Sequence, residues 1–434
     1  MDSSTVIIIE DGDGVSKSQK KKKPDVCSCQ PFVSILRGKL SKNGHGMRKV
    51  IHSIKVGIAL VLVSLLYLLD PFYDRVGENA MWAILTVVVT FEFFTGATLS
   101  KGLNRGIGTV LGGGLGCLGA AFAQAVGGVG KGIVVGIAVF VFGAGATYTR
   151  QMPKIKKKYD YGAMVFILTF NMIVVSGLHA DQVLELARTR LSTIVMGFAV
   201  CIFISLLVFP IWASDELHDS LLSRFELLAL SLEGFSKEYF ETANQKEQKA
   251  SANFSSNCKS ILHSKTRDET LVNFARWEPW HGKFGFSYPW GKYLKIGEDL
   301  RDLATIIISL KCCLRSSTQS SETFRQSIKE PCQAVVALLI WTIRELRESI
   351  QKMRKCRSEE TIVPKLKSVR IELSAVANSS TVGANLENAD GLGLVSFIYS
   401  LMEMVEKMEE LAKEVEELGE LGGFHKNSSC VIPS

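Results

Sequence analysis

Glu92, Lys101 and Arg105 stand in the run FEFFTGATLSKGLNRGIGTVLGGGLGCLG from Phe91 to Gly119, surrounded by apolar residues and glycines. Charge in so apolar a setting is costly, and where it faces a wet cavity it marks an ion path. Lys55, Arg150, Arg188 and Arg190 sit in similar apolar surroundings elsewhere in the first half of the chain. Cations outnumber the one acid, Glu92, so a water-filled path lined by these side chains attracts anions and repels cations. A guanidinium is a planar fork that matches a carboxylate through two parallel hydrogen bonds, and a dicarboxylate can bridge two such forks. Each residue also has a plainer use. Lys101 and Arg105 can snorkel to an interface. Lys55 and Glu92 either line the path or neutralise each other or a neighbouring arginine inside the bundle, and Arg188 and Arg190 either face a cavity or anchor in headgroups. Two residues apart on a helix, Arg188 and Arg190 point to different faces.

The elements that must hold these groups are apolar runs of near membrane-crossing length. They recur at Val50 to Leu69, Asn79 to Phe94, Leu103 to Val126, Ile133 to Thr149, Tyr161 to Leu178 and Leu191 to Trp212. Roughly 20 residues are needed to cross a bilayer as a helix. The glycines Gly102, Gly106, Gly108, Gly112, Gly113, Gly114, Gly116 and Gly119 would cripple a water-exposed helix. In a membrane they let neighbouring helices approach closely. Connection charges alternate as the positive-inside rule requires. Lys20 to Lys23, Arg37, Lys39, Lys42, Arg48 and Lys49 precede the first run, while Asp70, Asp74 and Glu78 follow it; Arg150, Lys154 and Lys156 to Lys158 crowd a later connection, and Asp181 and Glu185 the next. Six crossings with both termini cytosolic satisfy every loop.

Composition agrees. The 434 residues are 47% hydrophobic with a formal net charge of +7, and charged residues gather in the second half. The expected organisation is all-α: a flexible cytosolic N-terminal tail at 1–47, a transmembrane domain of six helices at 48–213, a cytosolic helical bundle at 214–421 and a flexible tail at 422–434. In the second half, Leu217, Leu221, Leu222, Phe225, Leu228, Leu232 and Phe235 recur at helical spacing, as do Ile306, Ile307, Leu310 and Leu314, and Val335, Leu338, Leu339, Ile343, Leu346 and Ile350. Leu401, Met404, Met408, Leu411, Val415 and Leu418 follow a heptad seam that either joins two subunits or docks on the chain's own bundle. The aromatic segment WEPWHGKFGFSYPWGKY, Trp277 to Tyr293, is expected as an ordered loop packed on that bundle, and the polar stretch Asn244 to Asn257 as mobile chain. Ten scattered cysteines form neither a disulfide framework nor a zinc site, and Cys27 and Cys29 follow a lysine run where either acylation or a plain polar tail applies. The acidic start lacks a signal peptide's basic and apolar regions. GGVGKG at Gly127 to Gly132 lacks the spacing of a phosphate loop, and the seven histidines form no ligand pattern. Neither an enzyme, a cofactor nor a nucleic-acid partner is expected.

The phrases NAMWAILTVVVTFEFFTGATLSKGLNRGIGT (Asn79 to Thr109), KKYDYGAMVFILTF (Lys157 to Phe170), RLSTIVMG (Arg190 to Gly197), LLVFPIWASDELH (Leu206 to His218) and WEPWHGKF (Trp277 to Phe284) resemble those of the plant aluminium-activated malate transporters. That resemblance implies an anion channel for malate and inorganic anions, a dimer with six spans per subunit and a helical cytosolic domain. It places Lys101, Arg105 and Arg190 among the basic pore residues, with Arg150 a further candidate, and Glu92 as a charge partner in gating, a role for which Lys55 also qualifies. Asp74, Asp181 and Glu185 fall in the outer segments where members of the family sense aluminium, a hard cation that favours carboxylate oxygen. The membrane expected is the plasma membrane, with the vacuolar membrane as the alternative. An alternating-access carrier of organic anions and a membrane-tethered interaction protein are the competing functions.

Overall fold

The computed structural model describes residues 44–68, 80–177, 183–240, 247–285, 287–316, 322–356, 358–377 and 389–425. The chain divides into two units, 1–54 and 55–434. Of the first, the described part is the opening of helix α1 (Gly44–Leu68), where the Ser53 hydroxyl donates to the Lys49 carbonyl at 3.0 Å.

The second unit is all-α among the described residues. After the remainder of α1 come α2 (Ala80–Thr90), α3 (Thr95–Val126), α4 (Gly130–Gln151), the short α5 (Pro153–Lys158), α6 (Asp160–Ser176) and α7 (Val183–Leu207). Of these, α3, α4 and residues 187–207 of α7 are long and apolar enough to cross a membrane, while Met81–Thr90 and α6 are apolar but shorter. Large apolar side chains such as Ile137, Phe140 and Val141 of α4 and Leu118 and Phe122 of α3 face outward, as hydrocarbon solvent permits. Two helices begin eight residues before their apolar runs: the run through Phe94 breaks after Thr90 and α3 begins at Thr95 rather than Leu103, and α7 begins at Val183 rather than Leu191 and ends at Leu207 rather than Trp212. Thr98 causes the break, because its hydroxyl receives the Glu92 N–H at 3.0 Å and holds residues 91–94 in a turn. Gly127 and Gly128, at φ 63° and 54°, reverse the chain between α3 and α4, so the GGVG sequence is a helix-to-helix turn.

Glycine decides how α3 meets α6. A Cβ on Gly108 would lie 2.3 Å from the Gly162 carbonyl oxygen, one on Gly112 2.7 Å from that of Phe166, and one on Gly116 3.0 Å from the Ile173 Cβ. Spaced four apart, these glycines form one face along which two backbones touch, which is how small residues replace the hydrophobic effect as the adhesive between membrane helices. On the other side, α7 crosses α3 antiparallel, with Thr95 beside Ser205 and the Phe198 ring pressed onto Gly102.

The second half is a bundle of α8 (Ala213–Phe240), α9 (Glu247–Leu262), α10 (Lys265–Ala275), α11 (Trp290–Ser316), α12 (Glu322–Lys352), α13 (Ser358–Thr361), α14 (Val363–Ala377) and α15 (Ala389–Leu421). The helical-period leucines and isoleucines of α8, α11 and α12 enter one continuous core. The seam residues Leu401 to Leu418 of α15 are buried in that same core, which settles their use: they dock on the chain's own bundle. Of the polar stretch expected as mobile, residues 244–246 lie outside the described residues and 247–257 instead belong to α9, whose Phe254, Cys258 and Ile261 at four- and three-residue spacing bury in the core and order the helix around them. Phe284, Tyr288, Trp290 and Tyr293 pack edge to face beneath it, so the aromatic segment is the ordered loop its composition implied.

Inside this core His218 makes a 2.8 Å hydrogen bond to the Tyr293 hydroxyl, and burial, with a smaller contribution from the Lys283 charge, pushes its pKa down to about 4. The folded protein therefore binds fewer protons than the unfolded chain between pH 4 and 6.5, and this part of its stability is complete above pH 6.5 and lost as pH falls to 4. Subtracting the pH profile of unfolding for His218→Gln from that of the wild type should reveal a rise on the order of 3 kcal/mol across that window; a flat difference would contradict the buried neutral imidazole. At the α3–α6 seam, Gly112→Leu should cost about 1–3 kcal/mol through overpacking. Gly114→Leu, whose Cβ would meet nothing within 4 Å, should melt like the wild type in detergent.

Candidate anion site between α3, α6 and α7

The buried part of the site is two guanidinium groups. Arg105 of α3 and Arg190 of α7 are 5% and 3% exposed, in an environment where an unpaired charge is expensive. Arg105 donates through Nη1 to the Tyr161 hydroxyl of α6 at 2.9 Å, and its Nε has no partner. Arg190 lies over the Trp82 ring of α2, 3.7 Å from its centroid, with Nε and Nη2 unpartnered. The helices that carry them, α3 and α7, pack against each other. Arginine nitrogens can only donate, so the unmet demand at this place is for acceptors carrying negative charge. The glycine seam brings Tyr161 within reach of Arg105, and α7, which carries Arg190, crosses α3 antiparallel on its other side.

The other cations are differently employed. Lys101, one turn before Arg105, is ion-paired with Glu92, both about one-third exposed. Glu92 therefore neutralises Lys101 rather than Lys55, which is buried in α1 beside the core formed by Ala59, Val63, Ala83, Val87, Phe91 and Val200. Arg150 at the end of α4 forms a fork with Asp160 at the start of α6, Nε to Oδ1 at 2.8 Å and Nη2 to Oδ2 at 3.2 Å. Arg188 and Glu185 are exposed, and Asp74 and Asp181 lie outside the described residues.

Below the cations, α3 is seated on the bundle. The carboxylate of Glu278 accepts the Ala213 N–H at 2.6 Å, the Ser214 N–H at 3.2 Å and the Ser214 hydroxyl at 2.6 Å, so it caps the N-terminus of α8, where the helix dipole favours negative charge. His281 stacks on Trp212 at 3.8 Å, and its Nδ1–H faces the Pro279 carbonyl at 2.7 Å, leaving Nε2 2.9 Å from the Ser214 oxygen. A Cβ on Gly96, in the first turn of α3, would lie 2.1 Å from the Phe274 carbonyl oxygen and 2.9 Å from the Glu278 Cγ. The Thr95 N–H donates to the Ile211 carbonyl at 3.1 Å. Burial pushes the Glu278 carboxyl above the usual range, while the bonds from Ser214 and the two main-chain amides, with His281, pull it back. Tyr161, Trp82, Ser214 and Glu278 do not stand out in the sequence: three are uncharged, and Glu278 lies in a loop whose aromatics dominate its composition.

These features coincide with a family match. The family model described as aluminium activated malate transporter matches residues 43–381, most of the chain. The chain belongs to that family. Aluminum-activated malate transporter 13 of Arabidopsis thaliana is 40% identical over 395 residues, covering 89% of this chain and 72% of that protein. Aluminum-activated malate transporter 12 of the same plant is 42% identical over 312 residues, 72% of this chain and 56% of the relative, and Aluminum-activated malate transporter 1 of Triticum aestivum is 39% identical over 272 residues, 61% and 58%. The chain thus spans between 56% and 72% of these relatives' lengths. As a member of the aluminium-activated malate transporter family it is a membrane protein of a transport family and not an enzyme.

Where the start of α3 meets the helical bundle of the second half, the Glu278 cap is a joint to test. Glu278→Ala leaves the Ala213 and Ser214 amides without their acceptor, at a cost of about 1.5–3 kcal/mol for hydrogen bonds to a charged group. Glu278→Gln should recover part of it, and hydrogen exchange at the first turn of α8 should rise in the alanine variant. Unchanged exchange there would refute the cap.

Proposed function

We propose that this chain is an anion channel conducting malate and inorganic anions across a plant membrane, with Arg105 and Arg190 as the selective cations of its path. The observation that carries this reading is the pair of buried guanidinium groups with unpartnered N–H donors on facing helices. Groups of that kind exchange an anion's hydration shell for charge-assisted hydrogen bonds, and two forks suit the two carboxylates of malate. The names of the relatives, transporters of malate, agree with this chemistry.

In this reading residues 48–213 form a six-helix transmembrane domain and 214–421 a cytosolic bundle, two subunits assemble into the conducting unit, and the membrane is the plasma membrane. Lys101, partly exposed and paired with Glu92, admits anions to the site, and the pair gates by opening. Arg150 serves the path from its fork with Asp160, and Lys55 supports the buried charge from α1. Asp74, Asp181 and Glu185 are the outer carboxylates for aluminium.

Recordings from purified protein in a planar bilayer test the proposal. Malate, nitrate, sulfate and chloride offered in turn should give discrete single-channel steps; a smooth current that saturates without steps would assign a carrier instead. Arg190→Ala and Arg105→Ala, matched to the wild type in membrane level, should each reduce malate current roughly tenfold, the loss of one or two charged hydrogen bonds. Wild-type conductance and selectivity in both variants would reject the site.

A further inference from the structure

A second feature of the apolar half belongs to no part of that path. Between α3, α4 and α6 lies a slot of about 460 Å³. Its long walls are apolar, from Ile107 and Leu111 of α3, Val141 and Phe142 of α4 and Phe166 of α6. It exists because small residues line its floor: a Cβ on Gly145 would meet nothing within 4 Å. Leu111 and Val141 at its rim are more than half exposed, so the slot opens on the outward, hydrocarbon-facing surface.

Polar groups line only one end. Asn104, Thr149 and Tyr159 stand there, and Asn104 donates through Nδ2 to the Lys158 carbonyl at 3.0 Å, which ties that end to α5. The sequence of α5 is PKIKKK, and the side chains of Lys154, Lys156 and Lys158 are exposed. Asp160, the nearby acid, is held in the fork of Arg150. The slot is therefore apolar along its walls, and its polar end is tied to a short helix whose exposed side chains are lysines. Those are the two halves of a phospholipid that carries net negative charge.

We propose that the slot between α3, α4 and α6 holds one acyl chain of an anionic phospholipid whose headgroup is bound by the lysines of α5. A soluble dicarboxylate fits poorly because nothing along the walls can accept its charge. A zwitterionic lipid could fill the slot but would gain little from three cations, whereas basic clusters at the membrane face favour anionic headgroups. The inference needs the apolar helices to lie in a bilayer and does not depend on which solute the protein carries.

Full-length protein in lipid nanodiscs, doped with phosphatidylserine or phosphatidylcholine carrying a diazirine on one acyl chain, provides the test. Irradiation and peptide mapping should place label on Leu111, Val141 or Phe142, about tenfold more with the serine lipid than with the choline lipid. In the wild type, unlabelled phosphatidylserine should compete and phosphatidylcholine should not. Gly145→Leu, which enters empty space, should remove labelling by both lipids, and replacing Lys154, Lys156 and Lys158 together by Gln should lower the serine lipid to the level of the choline lipid. Equal labelling and equal competition by the two lipids would overturn the proposal, as would undiminished labelling of a monodisperse Gly145→Leu protein. Disulfide formation between two copies of a Gly145→Cys variant would overturn it too, since a second subunit would then cover the slot. Anion current measured on the same nanodisc protein after fusion to a bilayer reports the transport reading separately.

Discussion

The separation of α3 from α6 is the constraint from which the other features follow. Gly108, Gly112 and Gly116 bring the two backbones into direct contact, and any side chain there would collide with main-chain oxygen or with Ile173. At that separation the Arg105 guanidinium reaches the Tyr161 hydroxyl. One methyl group more between the helices would part them. Glycine at these positions costs helix propensity in water, but a helix in hydrocarbon has no competing solvent for its backbone and keeps its hydrogen bonds.

Set on that frame, the charges divide by the company they keep. Glu92 takes Lys101, and Asp160 takes Arg150, each near a helix end and partly exposed. Arg105 and Arg190 lie deeper and are held by a phenol and an indole ring instead of by carboxylates. A tyrosine hydroxyl and an aromatic face stabilise a guanidinium without cancelling its charge. The arrangement keeps positive potential inside the protein where carboxylate partners would have quenched it, and that potential is what distinguishes an anion site from a buried salt bridge.

The start of α3 is held from the other direction. Gly96 rests against Phe274 and Glu278, and Glu278 caps α8, so the helix that carries Lys101 and Arg105 begins on the same residues that order the start of the second-half bundle. Phe209, at φ 45°, turns the chain between α7 and α8 in a conformation that bulky residues avoid, and the Thr95 to Ile211 bond lies just beyond it. The bundle's core is a continuous set of leucines, isoleucines and aromatics.

Much of this was legible in the residues alone. The apolar runs, the helical spacing of Leu217 to Phe235 and of Val335 to Ile350, and the phrases shared with the malate transporters determined an all-α chain of two compositions and the family, because hydrophobic period and ordered motifs are local properties. The candidate cations were also visible, since charge in an apolar run stands out without a fold. What the sequence left open was pairing. Pore lining or a charge partner for Glu92, another subunit or its own bundle for the Leu401 seam: each alternative has the same one-dimensional pattern, and each turns on which side chains lie within a few ångströms after folding. The tertiary structure decided those, and with them the partners Tyr161, Trp82 and Glu278, because a hydrogen bond or a ring contact depends on distance between residues far apart in the chain, which periodicity does not encode.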